Sequence, residues 1–195
     1  MSLFYNAFFI KTPATESNLK DRFSQVSRIP DSEWVVCDFG DSYLDGLFEP
    51  GTYFTTEISL QFGETIFICV DTSNDQLEYE HSKEGNILRK LCWSFDGCQS
   101  TWEWVEGEPE PWEDLALFSE ENFDRAREIF KYNEHLELLA PEELLAKEKD
   151  LRTIWDHRQY MLGDQWPLGD ATIGISIQKY FGLKSPLDDL EESAF

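Results

Sequence analysis

Apolar and polar residues alternate over much of the stretch from Thr52 to Val105, which is the spacing of a half-buried β-strand. The run 54–62 predicts a strand with an apolar and a polar face. Its apolar face would carry Phe54, Ile58, Leu60 and Phe62, and its polar face Thr55, Glu57, Ser59 and Gln61. The same pattern extends the predicted core to Phe67, Cys69, Leu91 and Trp93.

Further strands are predicted at 3–11, 33–39, 65–71, 76–81, 87–95 and 98–105, separated by turn-forming residues. Between the first two, Leu19, Phe23 and Val26 recur at helical spacing, which predicts a helix over 17–28. The strands from 52 to 105 would form an antiparallel meander of about five strands. We expect the strands at 3–11 and 33–39 to join that meander at one side.

The pattern changes at Glu106–Asp114, where Gly107, Pro109 and Pro111 argue against both a helix and a central strand. Beyond it, helices are predicted to begin at Ser119, Pro141 and Asp170, and the last one to end at Gly182. The chain is therefore predicted to be a single α+β domain over 1–195. Its antiparallel sheet of five to seven strands and one early helix would be packed by a helical C-terminal half. The predicted parts are a sheet-rich part at 1–105, an acidic connector rich in Pro, Gly and Trp at 106–118, a helical part at 119–183 and a mobile acidic tail at 184–195.

The charge of the chain bears on its surface and its partners more than on its fold. The 195 residues include 39 acids and 16 bases, and the net charge is −23. Nucleic acids and anionic membranes would repel such a chain, so we expect neither as a partner. A basic protein would be attracted to it, although high charge by itself also keeps a protein soluble. Aromatic residues make up 15% of the chain and can fill a core, which excludes the disordered class.

Sequence motifs give little sign of enzyme chemistry. No dinucleotide or phosphate-binding glycine loop occurs, and Asp38-Phe39-Gly40 lacks the other motifs of a kinase. Cys92 and Cys98 are spaced too far apart for a common zinc site, so neither a metal nor a cofactor is predicted and no catalytic residue is assigned. We expect all four cysteines to be reduced thiols and the protein to be cytoplasmic.

The segment from Glu103 to Asp124 is the most informative feature, because it holds nine acids and no Lys or Arg. Tryptophan side chains alternate with these acids, and Trp supplies contact area in interfaces while carboxylates attract a basic partner. The candidate binding residues are Trp102, Trp104, Glu106, Glu108, Glu110, Trp112, Glu113 and Asp114. The alternative is a solvated loop whose tryptophans fill the core.

Two hypotheses about function remain. The first is a non-enzymatic protein–protein interaction module, such as an inhibitor or immunity-type protein whose acidic face masks a basic partner. The second is an enzyme of unknown reaction, with a pocket between the sheet and the helices and with His or carboxylate groups that the sequence does not place. A deep cleft with converging titratable groups would favour the enzyme, and an acidic, aromatic surface would favour the binding protein.

Overall fold

A computed structural model of the chain describes residues 4–13, 16–41, 43–74, 76–95, 100–121, 123–124, 127, 140–158 and 171–183. The described strands are β1 (Phe4–Lys11), β2 (Val26–Arg28), β3 (Trp34–Gly40), β4 (Glu64–Asp71), β5 (Gln76–Lys83), β6 (Asn86–Phe95) and β7 (Ser100–Gly107). The described helices are α1 (Glu16–Lys20), α2 (Thr56–Phe62), α3 (Pro111–Ala116), α4 (Pro141–His157) and α5 (Ala171–Phe181).

The seven strands form one antiparallel sheet in the order β2-β3-β1-β4-β5-β6-β7. Strands β4 to β7 are four of the five strands of the predicted meander, and each pairs with the next along the chain. Strand β1 lies between β3 and β4, so the N-terminal strand is internal to the sheet. The sheet and the helices together confirm the α+β class.

Both faces of the sheet are covered, which explains why β1 and β4 are mainly apolar on both faces. One face packs against α3, α4 and α5, and its core includes Phe9, Tyr79, Trp93 and Trp155. The other face packs against α1, α2 and the loop before α2, and its core includes Phe67. We call these the α5 face and the α2 face. Successive strand residues alternate between the two faces, as the pleat of a strand requires.

The predicted strand at 54–62 is wrong, because residues 56–62 form helix α2. Ile58, Ser59 and Phe62 face the sheet, whereas Leu60 is 72% exposed. Thr55, which is predicted to lie on the polar face of that strand, is fully buried. Ile58 and Phe62 are four residues apart, a spacing that suits a helix as well as a strand, so alternation alone did not distinguish the two. Of the eight predicted core residues, Leu60 is exposed, Phe54 is half-buried, and the other six are buried: Ile58, Phe62, Phe67, Cys69, Leu91 and Trp93.

Two further predictions need correction. The helix expected over 17–28 is the short α1, and Val26–Arg28 is instead strand β2. The connector is not free of helix, since α3 begins at Pro111. Proline suits the first helical position, because the N–H that it lacks would have no partner within the helix there.

The later helices agree with the sequence pattern where they are described. Helix α4 begins at Pro141 as predicted, and α5 is followed by Gly182, whose φ is 64°. Phe123 N donates to Ser119 O, as a helix that begins at Ser119 requires. Asp170, Cys98 and the tail at 184–195 lie outside the described residues. None of the helices in the described ranges is long and apolar enough to cross a membrane.

Candidate functional site

The acidic segment runs through β7 and α3. Some of its side chains point into the protein, and others face water. Trp102, Trp112 and Glu113 are buried, with at most 2% of each exposed. Trp104, Glu106 and Glu110 are half-buried, and Glu108 and Asp114 are exposed. The eight predicted binding residues therefore do not form one continuous surface. The alternative prediction, in which tryptophans fill the core, holds for Trp102 and Trp112.

Glu110 is the centre of the inward part. One of its oxygens, Oε2, accepts hydrogen bonds from the Tyr79 hydroxyl at 2.6 Å and from Trp112 Nε1 at 2.8 Å. Its other oxygen, Oε1, lies 2.5 Å from Nδ1 of His81. Burial would raise the pKa of Glu110, but the hydrogen bonds and positive charge of His81, aided by Tyr79 and Trp112, outweigh burial and lower it. Glu110 is thus an ionised group that organises the start of α3.

His81 joins this cluster to the end of β4. Its second ring nitrogen, Nε2, lies 3.2 Å from Oε1 of Glu64. Both ring nitrogens therefore face carboxylate oxygens, and a hydrogen bond on each side requires a proton on each nitrogen. The edge of the ring of Phe181, at the end of α5, packs against the imidazole with the two ring centroids 5.6 Å apart.

Arg89 and Glu113 form a second inward contact beside the first. The guanidinium donates two hydrogen bonds to the Glu113 carboxylate, at 2.8 and 2.7 Å, in a bidentate geometry. A third guanidinium nitrogen donates to the backbone carbonyls of Glu106 and Gly107. Glu113 also accepts from the backbone N–H of Glu110, which completes a capping box at the start of α3. Arg89 thereby fastens the end of β7 and helix α3 to the sheet.

The outward part lies on the α2 face at the β7 edge of the sheet. Oε2 of Glu106 accepts from the Tyr53 hydroxyl at 2.8 Å and from Trp104 Nε1 at 3.2 Å. Beside them Glu103 accepts from the Ser94 hydroxyl at 2.8 Å. Tyr53 is 39% exposed, and its hydrogen bond to Glu106 raises the pKa of its hydroxyl. We call Tyr53, Ser94, Glu103, Trp104 and Glu106 the edge surface.

A buried charge cluster lies beneath the edge surface. Lys90 Nζ donates to Glu78 and to Glu80, each at 2.7 Å, and to the carbonyl of Thr52 at 2.6 Å. All three charged side chains are fully buried. Burial raises the pKa of Glu78, and Lys90 offsets only part of that shift. Burial lowers the pKa of Lys90, but the two carboxylates outweigh burial and raise it above its usual range.

The same carboxylates hold the loop that precedes α2. Glu78 accepts from the backbone N–H of Phe48, and Glu80 accepts from those of Phe54 and Thr55. The ring of Tyr53, in the same loop, lies over Lys90 Nζ at 5.2 Å from its centroid. The position of Tyr53 in the edge surface therefore depends on the buried cluster.

Sequence reasoning missed His81, Arg89, Lys90, Glu78 and Glu80 as an organised set. The sequence does contain a signal for this set. Charged residues alternate with apolar ones in the predicted strand Gln76–His81, and Arg89 and Lys90 interrupt the otherwise mainly apolar strand Ile87–Phe95, its predicted neighbour. Charged side chains on the buried face of a sheet require partners. Identifying those partners required the register of β5 against β6 and the position of α3, which local spacing does not give.

The described residues offer few groups for metal binding or for thiol chemistry. Within it, no group of three or more His, Cys, Asp or Glu side chains is arranged to hold a metal ion. Cys37, Cys69 and Cys92 are buried free thiols. Burial raises the pKa of Cys37 and of Cys92 to about 12, which keeps both thiols protonated.

Comparison with known proteins does not add a function to this geometry: no protein-family model, no curated protein and no solved structure matches the chain.

Proposed function

We propose that this protein is a non-enzymatic interaction module that binds a basic protein partner through the edge surface, as an inhibitor or immunity-type protein would. The observation that carries the proposal is Glu106 held between Tyr53 and Trp104, on the outer side of a chain with a net charge of −23. The binding surface proposed from the sequence is thereby reduced. Trp104 and Glu106 remain from the predicted set, and Tyr53, Ser94 and Glu103 join them.

The chemistry of these residues suits a cationic partner. Aromatic side chains with a polar end give contact area at low entropic cost, and Trp and Tyr dominate the energetics of many interfaces. Arg and Lys of a partner can stack on the Trp104 and Tyr53 rings and pair with Glu103 or Glu106. Exposed acids of the loop before α2 and of α2 itself, Asp45, Glu49 and Glu57, would raise the association rate by long-range attraction.

The alternative function, an enzyme, would depend on His81, since it is a buried histidine between two carboxylates. Both ring nitrogens of His81 already face a carboxylate, so the ring would have to leave one of them before exchanging a proton with a substrate. The same contacts also hold α3 on the sheet. This arrangement favours a structural role for His81, and the binding protein remains the better proposal.

The proposal includes a cytoplasmic setting and a C-terminal helical part that supports the sheet. Reduced thiols are typical of the cytoplasm, and the described cysteines are free. Helices α3, α4 and α5 lie on the α5 face, so they leave the edge surface open to a partner on the α2 face.

Affinity capture with matched variants tests the proposal. The edge variant carries Glu103→Gln and Glu106→Gln. The control carries Glu142→Gln and Asp150→Asn, which change the net charge equally on exposed positions of α4. A basic protein that wild type and control retain from an extract of the source cells, and the edge variant does not, is identified and purified. Retention of the same proteins by all three chains would refute the proposal.

Binding of the purified partner is then measured by surface plasmon resonance. The edge variant should associate more slowly at 0.1 M salt, and the difference should disappear near 1 M, where the Debye length falls to about 3 Å. Trp104→Ala should instead raise the dissociation rate, by an amount worth roughly 2 kcal/mol or more. Equal rate constants for wild type, the edge variant and Trp104→Ala would exclude the edge surface as the binding site.

A further inference from the structure

A surface pocket of about 410 Å³ lies at the end of the sheet where β1, β2 and β5 end and β3 and β4 begin. This volume is within the range of small-molecule sites, roughly 300 to 1,000 Å³. The residues that line the pocket are Lys11, Thr12, Pro13, Arg28, Glu33, Glu64 and Lys83. It is separate from the edge surface, which lies on β6, β7 and the loop before α2.

The charge of the lining is opposite to that of the chain. Three of the sixteen Lys and Arg residues line this one pocket, together with two carboxylates. The pocket therefore has more cationic than acidic side chains, although the net charge of the whole chain is −23. Lys and Arg side chains that converge on a concavity are the usual partners of carboxylate and phosphate groups.

The two carboxylates of the pocket are held differently. Glu64 is 22% exposed and is fixed on one side by His81 Nε2 and on the other by Lys83 Nζ, at 3.2 and 3.3 Å. Glu33 is 76% exposed, and its carboxylate contacts Lys11 Nζ at 2.6 Å. An exposed ion pair of this kind contributes little to stability, so an anion can take the place of Glu33 at small cost.

We propose that this pocket binds a small molecule through an oxyanion group, a carboxylate or a phosphate, which displaces Glu33 from Lys11 and bridges Lys11, Arg28 and Lys83. Glu64 stays in place because His81 holds it, and it accepts a hydrogen bond from a hydroxyl or amino group of the same ligand. The pocket thus selects small anions that also carry a donor. This inference goes beyond the proposed protein interaction and does not depend on it.

The test is a titration of the full chain with inorganic phosphate and, separately, with succinate, followed by amide chemical shifts in ¹H–¹⁵N NMR spectra. We expect saturable shifts at residues 11, 12, 28 and 83 with at least one probe. Saturation by phosphate alone assigns a phosphorylated ligand, and saturation by succinate alone assigns a carboxylate ligand. Saturation by both supports the shared oxyanion chemistry. No saturable shift at these residues with either probe would overturn the proposal.

Three variants make the test specific. Lys11→Gln with Lys83→Gln should weaken binding roughly tenfold or more, because each lysine contributes a charge-assisted hydrogen bond. Glu33→Gln should strengthen binding, since it removes the group that competes for Lys11. The control, Lys147→Gln with Lys149→Gln on exposed positions of α4, should bind like wild type. If Glu33→Gln fails to strengthen binding, or the control loses as much affinity as the pocket variant, the proposal is wrong.

Discussion

Arg89 and Lys90 are neighbours on β6, but they lie on opposite faces of the sheet and hold different segments against it. Arg89 fastens α3 on the α5 face through Glu113, and Lys90 fastens the loop before α2 through Glu78 and Glu80. Both side chains are buried. Because consecutive strand residues point to opposite faces, two adjacent cations are enough to attach a covering segment to each side.

The two contacts balance charge in different ways. Arg89 and Glu113 form a neutral pair whose planar groups match in two parallel hydrogen bonds. Lys90 faces two carboxyl groups, so a single cation meets two acids, and backbone N–H groups of Phe48, Phe54 and Thr55 donate to the same two carboxyl groups. The Lys90 cluster therefore depends on the conformation of the loop, whereas the Arg89 pair depends mainly on side-chain geometry.

The largest expected effect is that of Lys90→Met. The substitution leaves Glu78 and Glu80 buried without their cation, which should lower the free energy of unfolding by about 3–5 kcal/mol. Urea denaturation followed by tryptophan fluorescence measures this loss. Lys149→Met, at an exposed position of α4, is the matched control and should change stability by less than about 0.5 kcal/mol. A loss below about 1 kcal/mol for Lys90→Met would contradict the proposed charge balance.

Arg89→Lys should cost less, about 2–3 kcal/mol, since it keeps the charge but loses the bidentate geometry and the bonds to the carbonyls of Glu106 and Gly107. The measurement is the same urea denaturation. Arg152→Lys is the control, because Arg152 also contacts a carboxylate in a bidentate manner, that of Glu120, but at an exposed position. Equal losses for the two variants would show that burial does not distinguish these pairs.

Glu110→Gln tests whether the stability that Glu110 contributes on the α5 face depends on pH. The pKa of Glu110 is lowered in the folded state, so its ionised form stabilises the fold above the pKa of the unfolded chain. At pH 7 the variant should lose about 2 kcal/mol. The difference from wild type should shrink as the pH falls below the pKa of the unfolded chain, about 4.3, and through the lowered pKa of folded Glu110. Urea midpoints between pH 7 and pH 3 measure it.

Glu108→Gln is the control for that series, because Glu108 is an exposed carboxylate two residues away. It should differ little from wild type over the whole pH range. A difference between wild type and Glu110→Gln that stays constant down to pH 3 would show that the charge of Glu110 is not the stabilising feature.

The smallest expected effect is that of Tyr79→Phe, which removes only the hydroxyl that donates to Glu110. The expected loss is about 1 kcal/mol, because Trp112 and His81 still contact the carboxylate. Thermal unfolding of the two proteins measures it. A loss as large as that of Glu110→Gln would mean that Tyr79, rather than His81, is the main partner of Glu110.

Local sequence patterns predicted most of the sheet but only part of what covers it. The strands β3 to β7 follow from apolar and alternating runs with clear turns, and the helix at Pro141 follows from its first-turn acids. Residues 56–62 were predicted as a strand because a seven-residue segment with Ile58 and Phe62 fits both periods. The helix follows Thr55, which is buried and donates its hydroxyl to Glu80 of the distant strand β5, a contact that local spacing does not predict.

The candidate site was harder to predict because it is made of contacts between distant segments. The acids and tryptophans at 102–114 were identified, but their division into inward and outward groups was not. Glu110 and Glu113 face inward because His81 and Arg89, more than twenty residues earlier, supply positive charge there. Spacing within the segment carries no information about those partners, since the register of the sheet brings them together.

Gly107, the last residue of β7, has a consequence for how this chain can vary during evolution. The residue is exposed, and an exposed position normally tolerates many amino acids. Its φ is 82°, however, and a Cβ atom there would collide with the carbonyl oxygen of Leu88. Its own carbonyl accepts a hydrogen bond from buried Arg89. In a library of all single substitutions, we expect position 107 to be depleted of every residue except glycine. An estimate of its mutational tolerance from solvent exposure alone would therefore be too high.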